Sequence, residues 1–134
     1  MLFGQEHVDR YRATGGEEGH EWRPGVYTLL LTTTGRKSGE SRTTPLIYGE
    51  DGGNQVIIAS KGGAPDHPAW FKNLDADPSV RVQVGPDEFA ARARVAGGEE
   101  RERLWKLMAG IWPDYDDYAT KTDREIPVVV LERG

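Results

Sequence analysis

The sequence predicts an α+β protein, an antiparallel barrel or sandwich of about six strands with short helices set around it. Three observations predict it. Apolar, β-branched runs of strand length recur along the chain and are separated by Gly-, Asp- and Pro-containing turn signals. These strands follow one another through hairpin turns instead of alternating with helices, which argues against a parallel Rossmann sheet. Strong helical periodicity comes late, in Glu99–Trp112.

Taken in order, His7–Ala13 reads as a short helix with Val8 and Tyr11 on one side, stopped by Thr14-Gly15-Gly16. Tyr27–Thr33 (YTLLLTT) is the first strand, and Gly35–Gly39 turns the chain into a second, Thr43–Tyr48 (TTPLIY). Asp51-Gly52-Gly53-Asn54 is a hairpin signal before a third strand, Gln55–Ser60. A Gly-rich loop follows. Asp66 then reads as the N-cap, with Pro68 in the first turn, of a helix reaching about Leu74, and Asp77-Pro78 ends it.

Val80–Val84 is the fourth strand and Gly85-Pro86-Asp87 a turn. Glu88–Ala96 alternates, with Phe89, Ala91, Ala93 and Val95 on one face and a solvated pair, Arg92 and Arg94, on the other. In Glu99–Trp112 the apolar stripe is Leu104, Leu107, Met108, Ile111 and Trp112, with Glu99–Arg103 and Glu102–Lys106 as outer ion pairs. Pro113-Asp114 interrupts that helix, a short one follows at Tyr115–Lys121, and Pro127–Glu132 closes the chain as a strand.

The 134 residues fit a single domain, 1–134, able to bury about two-thirds of its unfolded surface. With no cysteine, disulfides, thiolate nucleophiles, CxxC redox motifs and Cys-bound metals are excluded. Only His7, His20 and His67 are available as imidazoles, without HExxH spacing, so no metal site is expected. Apolar runs such as Val128–Leu131 are far shorter than the ~20 residues that span a bilayer, and no charged-then-apolar leader opens the chain. A soluble, cytoplasmic protein is expected. The net charge of −5 argues against general nucleic-acid binding. Yet between Thr32 and Tyr48, Arg36, Lys37 and Arg42 stand against Glu40 alone, a local surplus of two positive charges. One basic cluster on an acidic protein suits a small anionic ligand.

Three constellations carry chemistry. Thr34-Gly35-Arg36-Lys37-Ser38-Gly39, with Arg42 beyond it, either binds a phosphate or carboxylate or is an ordinary basic hairpin turn. It lacks Walker A spacing. Ser60-Lys61-Gly62-Gly63-Ala64-Pro65 either lets a flat heterocycle approach the backbone, with Trp70 and Asn73 bordering it, or is a flexible loop before a surface helix. Trp112, Tyr115 and Tyr118 recur at i, i+3 and i+6, either as an aromatic wall bearing proton-donating hydroxyls or as a packing stripe. No GxSxG elbow is present, so no Ser-His-Asp triad is argued.

The segments LLLTTTGRKSGESRTTPLIY and ASKGGAPDHPAWFKNLDADPSVRVQV, then Tyr115–Tyr118 and REIPVVVLER, resemble the deazaflavin-dependent nitroreductase and quinone reductase family, found mainly in actinobacteria. The resemblance runs from about Val8 to Arg133. It implies a split β-barrel, coenzyme F420 as cofactor, and hydride transfer to a quinone, enone or nitroaromatic acceptor. On that resemblance Arg36, Lys37, Ser38 and Arg42 hold the coenzyme's phosphate and acidic tail. Ser60, Lys61, Gly62, Gly63 and Ala64 cradle the deazaflavin ring, with Trp70 and Asn73 nearby. Trp112, Tyr115 and Tyr118 line the acceptor pocket, Trp112 standing where the family's reductases carry a first tyrosine. Tyr115, Ser60 and Tyr118 are the implied catalytic residues, the proton coming from Tyr115, Ser60 or water. The resemblance further implies a monomer or homodimer, and peripheral contact with the inner face of the membrane to reach menaquinone. The alternatives are a non-catalytic F420 carrier and an FMN- or haem-binding split barrel.

Overall fold

Every strand pairing among the described residues, 2–133 of a computed structural model, is antiparallel. The strands are β1 (Glu21–Arg23), β2 (Val26–Thr34), β3 (Ser41–Ile47), β4 (Gly49–Asp51), β5 (Asn54–Ile58), β6 (Ser79–Val84), β7 (Asp87–Val95) and β8 (Val128–Arg133). The helices are α1 (Gly4–Thr14), α2 (Ala69–Ala76), α3 (Gly98–Ile111) and α4 (Asp114–Thr120), with a 3-10 turn at Lys61–Gly63. In the sheet the order is β1-β2-β6-β7-β8-β5-β4, and β3 pairs with β2.

Only Tyr48 separates β3 from β4, so residues 41–51 act as one bent strand. Its first part pairs with β2, Ser41 opposite Thr34 and Ile47 opposite Thr28, and its second part pairs with β5, Gly49 opposite Val56. The bend curls the sheet back onto itself. That closure makes the predicted α+β fold a split β-barrel.

Alternation decides what lies inside. Leu29 and Leu31 of β2, Ile57 of β5, Val80 and Val82 of β6, Phe89, Ala91 and Ala93 of β7, and Val129 and Leu131 of β8 form one buried cluster. Trp70, Phe71 and Leu74 of α2 join it. The opposite faces of β5 and β8 (Val56, Ile58, Val128, Val130) pack under Leu104 and Met108 of α3 and Tyr115 of α4. Leu30 packs outward against Val8 and Tyr11 of α1. A strand covered on both sides reads as a continuous apolar run, which explains YTLLLTT.

The β4–β5 hairpin turns on Gly52 (φ 57°) and Gly53 (φ 91°), the two left-handed positions of a tight primed turn. Several expectations need correction. β1 and β4, at three residues each, carry too little pattern to be read locally. Asp66 does not cap α2, because Pro68 holds an extended conformation before Ala69; Asp66 instead pairs with Lys72 at 3.0 Å. Val95 ends its strand exposed, and Leu107 is also exposed. Arg94 is half-buried in an ion-pair network with Glu100 and Glu132, and Arg103 pairs with Asp51 across elements instead of with Glu99.

Candidate active site

The turn between β2 and β3 closes on itself. Gly35 N–H donates to the Glu40 carbonyl at 2.7 Å and Gly39 N–H to the Gly35 carbonyl at 2.8 Å, while Ser38 Oγ accepts from Glu40 N–H at 3.1 Å. This fixes the backbone beneath Arg36 and Lys37. Asn73, buried in α2, anchors the turn: its Oδ1 accepts from both Arg36 N–H (3.2 Å) and Arg36 Nη1 (3.0 Å), and its Nδ2 donates to Thr33 Oγ1 at 3.2 Å. Both ends of the Asn73 amide are therefore committed to protein partners, so Asn73 positions Arg36. Arg36, Lys37, Ser38 and Arg42 line a cavity of about 470 Å³ together with Asn73 and Trp70. Arg42 is also paired with Glu40 at 3.4 Å, a pair too exposed to hold it firmly.

A second cavity has a volume of about 440 Å³, and Trp70 belongs to the walls of both. Ser60, Lys61 and Gly62 form one edge, and Trp112, Tyr115 and Tyr118 another. Gly63 and Ala64 are not on that wall. Gly63 packs beneath α4, where an added Cβ would lie 2.7 Å from the Tyr118 carbonyl oxygen, and the Ala64 carbonyl accepts from Arg124. The three aromatics do not share one helix: Trp112 caps α3, and the chain turns at Pro113 before α4 carries Tyr115 and Tyr118. All three nevertheless reach the cavity. The Tyr115 and Tyr118 rings meet edge to face with centroids 6.2 Å apart. Burial, with Tyr118 adding to it, holds the Tyr115 phenol above its ordinary range, so Tyr115 keeps its proton throughout neutral pH.

The remaining wall was not found from sequence. Leu2, Phe3 and His7, Trp22 of β1, and Pro45, Leu46 and Ile47 of β3 form much of it. Trp22 Nε1 donates to the Leu2 carbonyl at 2.9 Å, and its ring meets Phe3 and Trp112, each at 5.7 Å. Arg23 lies over both indoles, 4.7 Å from Trp22 and 5.0 Å from Trp112. A tryptophan in the polar stretch Glu21–Gly25 was the available signal. Arg124 and His67, which brace the loop after β5, gave none, because their partners are remote in sequence.

The donor set fits an elongated ligand with an anionic end and a flat heterocyclic end. Arg36 and Lys37 line one cavity, and the glycine-bearing backbone at Lys61–Gly62 lines the other together with aromatic rings, Trp70 being common to both. A curled antiparallel sheet closed in this way is a split β-barrel. The family model of F420H(2)-dependent quinone reductases matches residues 3–133. An F420H(2)-dependent quinone reductase of Mycobacterium tuberculosis (strain H37Rv) is 42% identical over 126 residues, covering 92% of this chain and 85% of that protein. Among solved structures, one described as an F420-H2 dependent reductase is 48% identical with a TM-score of 0.73, covering 78% of this chain and 93% of that one. Another, described as a domain-swapped dimer, is 43% identical with a TM-score of 0.76 and covers 96% of each chain. The chain belongs to the F420H(2)-dependent quinone reductase family. It is thus an oxidoreductase that depends on reduced coenzyme F420, with a quinone as acceptor class.

Proposed function

We propose that the basic cavity holds the coenzyme's phosphate through Arg36, Lys37, Ser38 and Arg42, and that Ser60, Lys61 and Gly62 bear its ring beside Trp70. The observation that supports this reading is that one side chain, Trp70, lines both cavities. When bound, the reduced coenzyme supplies a hydride equivalent. The chain's own groups do the rest. Trp112, Tyr115, Tyr118 and Trp22 exclude water and present flat faces to a planar acceptor. Hydride addition to a quinone leaves an oxyanion that must take up one proton, and Tyr115 holds that proton at its hydroxyl. Ser60 and Tyr118, which line the same cavity, would relay its replacement. Nitroaromatics and enones of similar width enter the same cavity in this reading.

Contact with a membrane surface falls to Leu2 and Phe3, which line the cavity near Trp22, Phe3 being 65% exposed. Among the described residues no helix is long and apolar enough to cross a membrane. A homodimer is the assembly in this reading, after the solved relative described as a domain-swapped dimer. Fluorescence titration with oxidised F420, with FMN in parallel, tests the binding site. Saturable, salt-sensitive binding of F420 alone is expected, followed by F420H2 oxidation on adding menadione. Preference for FMN, or binding insensitive to salt, overturns the assignment of the basic turn.

A further inference from the structure

We infer that Arg124, which lies off the cavity wall, is a positioning residue that sets the shape of the coenzyme-bearing loop. Its guanidinium holds four groups of that loop at once. Nε donates to the Ala64 carbonyl at 2.9 Å, Nη2 to the Ser60 carbonyl at 2.7 Å, and Nη1 to the Ala59 carbonyl at 3.2 Å and to His67 Nδ1 at 3.1 Å. A guanidinium only donates, so His67 Nδ1 accepts and the ring proton sits on Nε2. His67 is in turn held against Phe71 of α2, ring centroids 4.8 Å apart. Arg124 thus ties the end of β5, the loop and the approach to α2 to the segment that leads into β8.

The loop needs such a tie. Lys61, at φ 47°, is the only non-glycine residue with a positive φ among the described residues, and Gly62 and Gly63 continue at 63° and 82°. Lys61 adopts a conformation that a side chain disfavours, and such backbone persists where surrounding contacts over-determine it. Ser60 is right-handed (φ −78°, ψ −40°) immediately before Lys61. A right-handed residue followed by a left-handed one turns successive N–H groups into one concavity suited to an anionic or electron-rich group. The carbonyls of Ala59, Ser60 and Ala64 are bound by Arg124, and that of Lys61 accepts from Ala64 N–H at 3.2 Å. With these four carbonyls engaged and the Gly63 and Ala64 N–H groups donating to Ser60 and Lys61, the Ser60–Gly62 stretch turns its N–H donors to the electron-rich edge of a bound heterocycle.

This rests on the reading that the loop carries F420, and the test separates the two. Oxidised F420 is titrated by fluorescence into the full chain, its Arg124→Ala and Arg124→Lys variants and His67→Phe. Urea unfolding of each shows that it folds. Arg124→Ala is expected to bind F420 at least tenfold more weakly, with millimolar guanidinium chloride restoring part of the affinity. Arg124→Lys falls between the two. At saturating F420H2 the KM for menadione stays within about twofold of the wild-type value. Wild-type F420 affinity in a folded Arg124→Ala overturns the inference. Should that variant not fold, wild-type affinity in both Arg124→Lys and His67→Phe overturns it. Absence of F420 binding by the wild-type chain overturns the coenzyme reading itself, and the inference with it.

Discussion

Replacing Gly63 by alanine asks whether the loop after β5 and the aromatic helix α4 behave as one unit. A Cβ at Gly63 would lie 2.7 Å from the Tyr118 carbonyl oxygen, 3.0 Å from Lys121 Cβ and 3.1 Å from Tyr118 Cα, on a backbone with φ 82°. At Gly62, with φ 63°, the same atom meets nothing within 4 Å. Each alanine carries the strain of a left-handed residue, about 1–2 kcal/mol. Only Gly63→Ala adds overlap with main-chain atoms, which relax only if α4 moves, at a further cost of roughly 1–3 kcal/mol. The difference between the variants, about 2 kcal/mol, corresponds to about 1 M urea if the slope is ~2 kcal/mol/M. Urea unfolding followed by tryptophan fluorescence reads it directly. Equal midpoints for Gly62→Ala and Gly63→Ala would refute the argument that α4 rests on the Gly63 backbone.

Tyr115→Phe should lower kcat at least tenfold while F420 affinity stays within twofold; stopped-flow oxidation of F420H2 checks it, and unchanged turnover removes Tyr115 as proton source. Arg36→Ala combined with Lys37→Ala should weaken F420 binding at least tenfold and flatten its dependence on salt, measured by titration at two ionic strengths. Tyr48 is pushed up to about 12 by burial, with Glu50 next, against about 10 in the unfolded chain. Its neutral form is therefore favoured by folding, so this contribution is complete below pH 10 and is lost between pH 10 and about 12. Urea titrations across that window should show a decline that Tyr48→Phe makes shallower; an equally steep decline in the variant refutes the assignment.

Much of the candidate site was legible because three segments announce themselves locally. Arg36-Lys37 is a cationic pair between glycines, Ser60–Ala64 is glycine-rich after an apolar strand, and Trp112, Tyr115 and Tyr118 recur at helical spacing. The structure separates the second of these, leaving Ser60, Lys61 and Gly62 on the cavity wall and turning Gly63 toward α4. It also gives Asn73 an anchoring task that no local pattern signals, since its partners Thr33 and Arg36 lie some forty residues earlier. Trp22 escaped notice for a different reason. Its strand is three residues long, too short for alternation to show.

Features set between near neighbours in the chain are readable from residue order. The Gly52-Gly53 turn follows because both positions need positive φ, and the covered strand Tyr27–Thr33 because alternate side chains must both find apolar partners. Tertiary structure alone decided that residues 41–51 bend at Tyr48 to join β2 to β5, that Trp70 stands in two cavities, and that Arg124 reaches back to Ala59 and Ser60. The physical reason is range. Steric preference and hydrophobic periodicity act over a few residues, whereas a hydrogen bond spanning more than sixty residues exists only once the sheet has curled and brought its ends together.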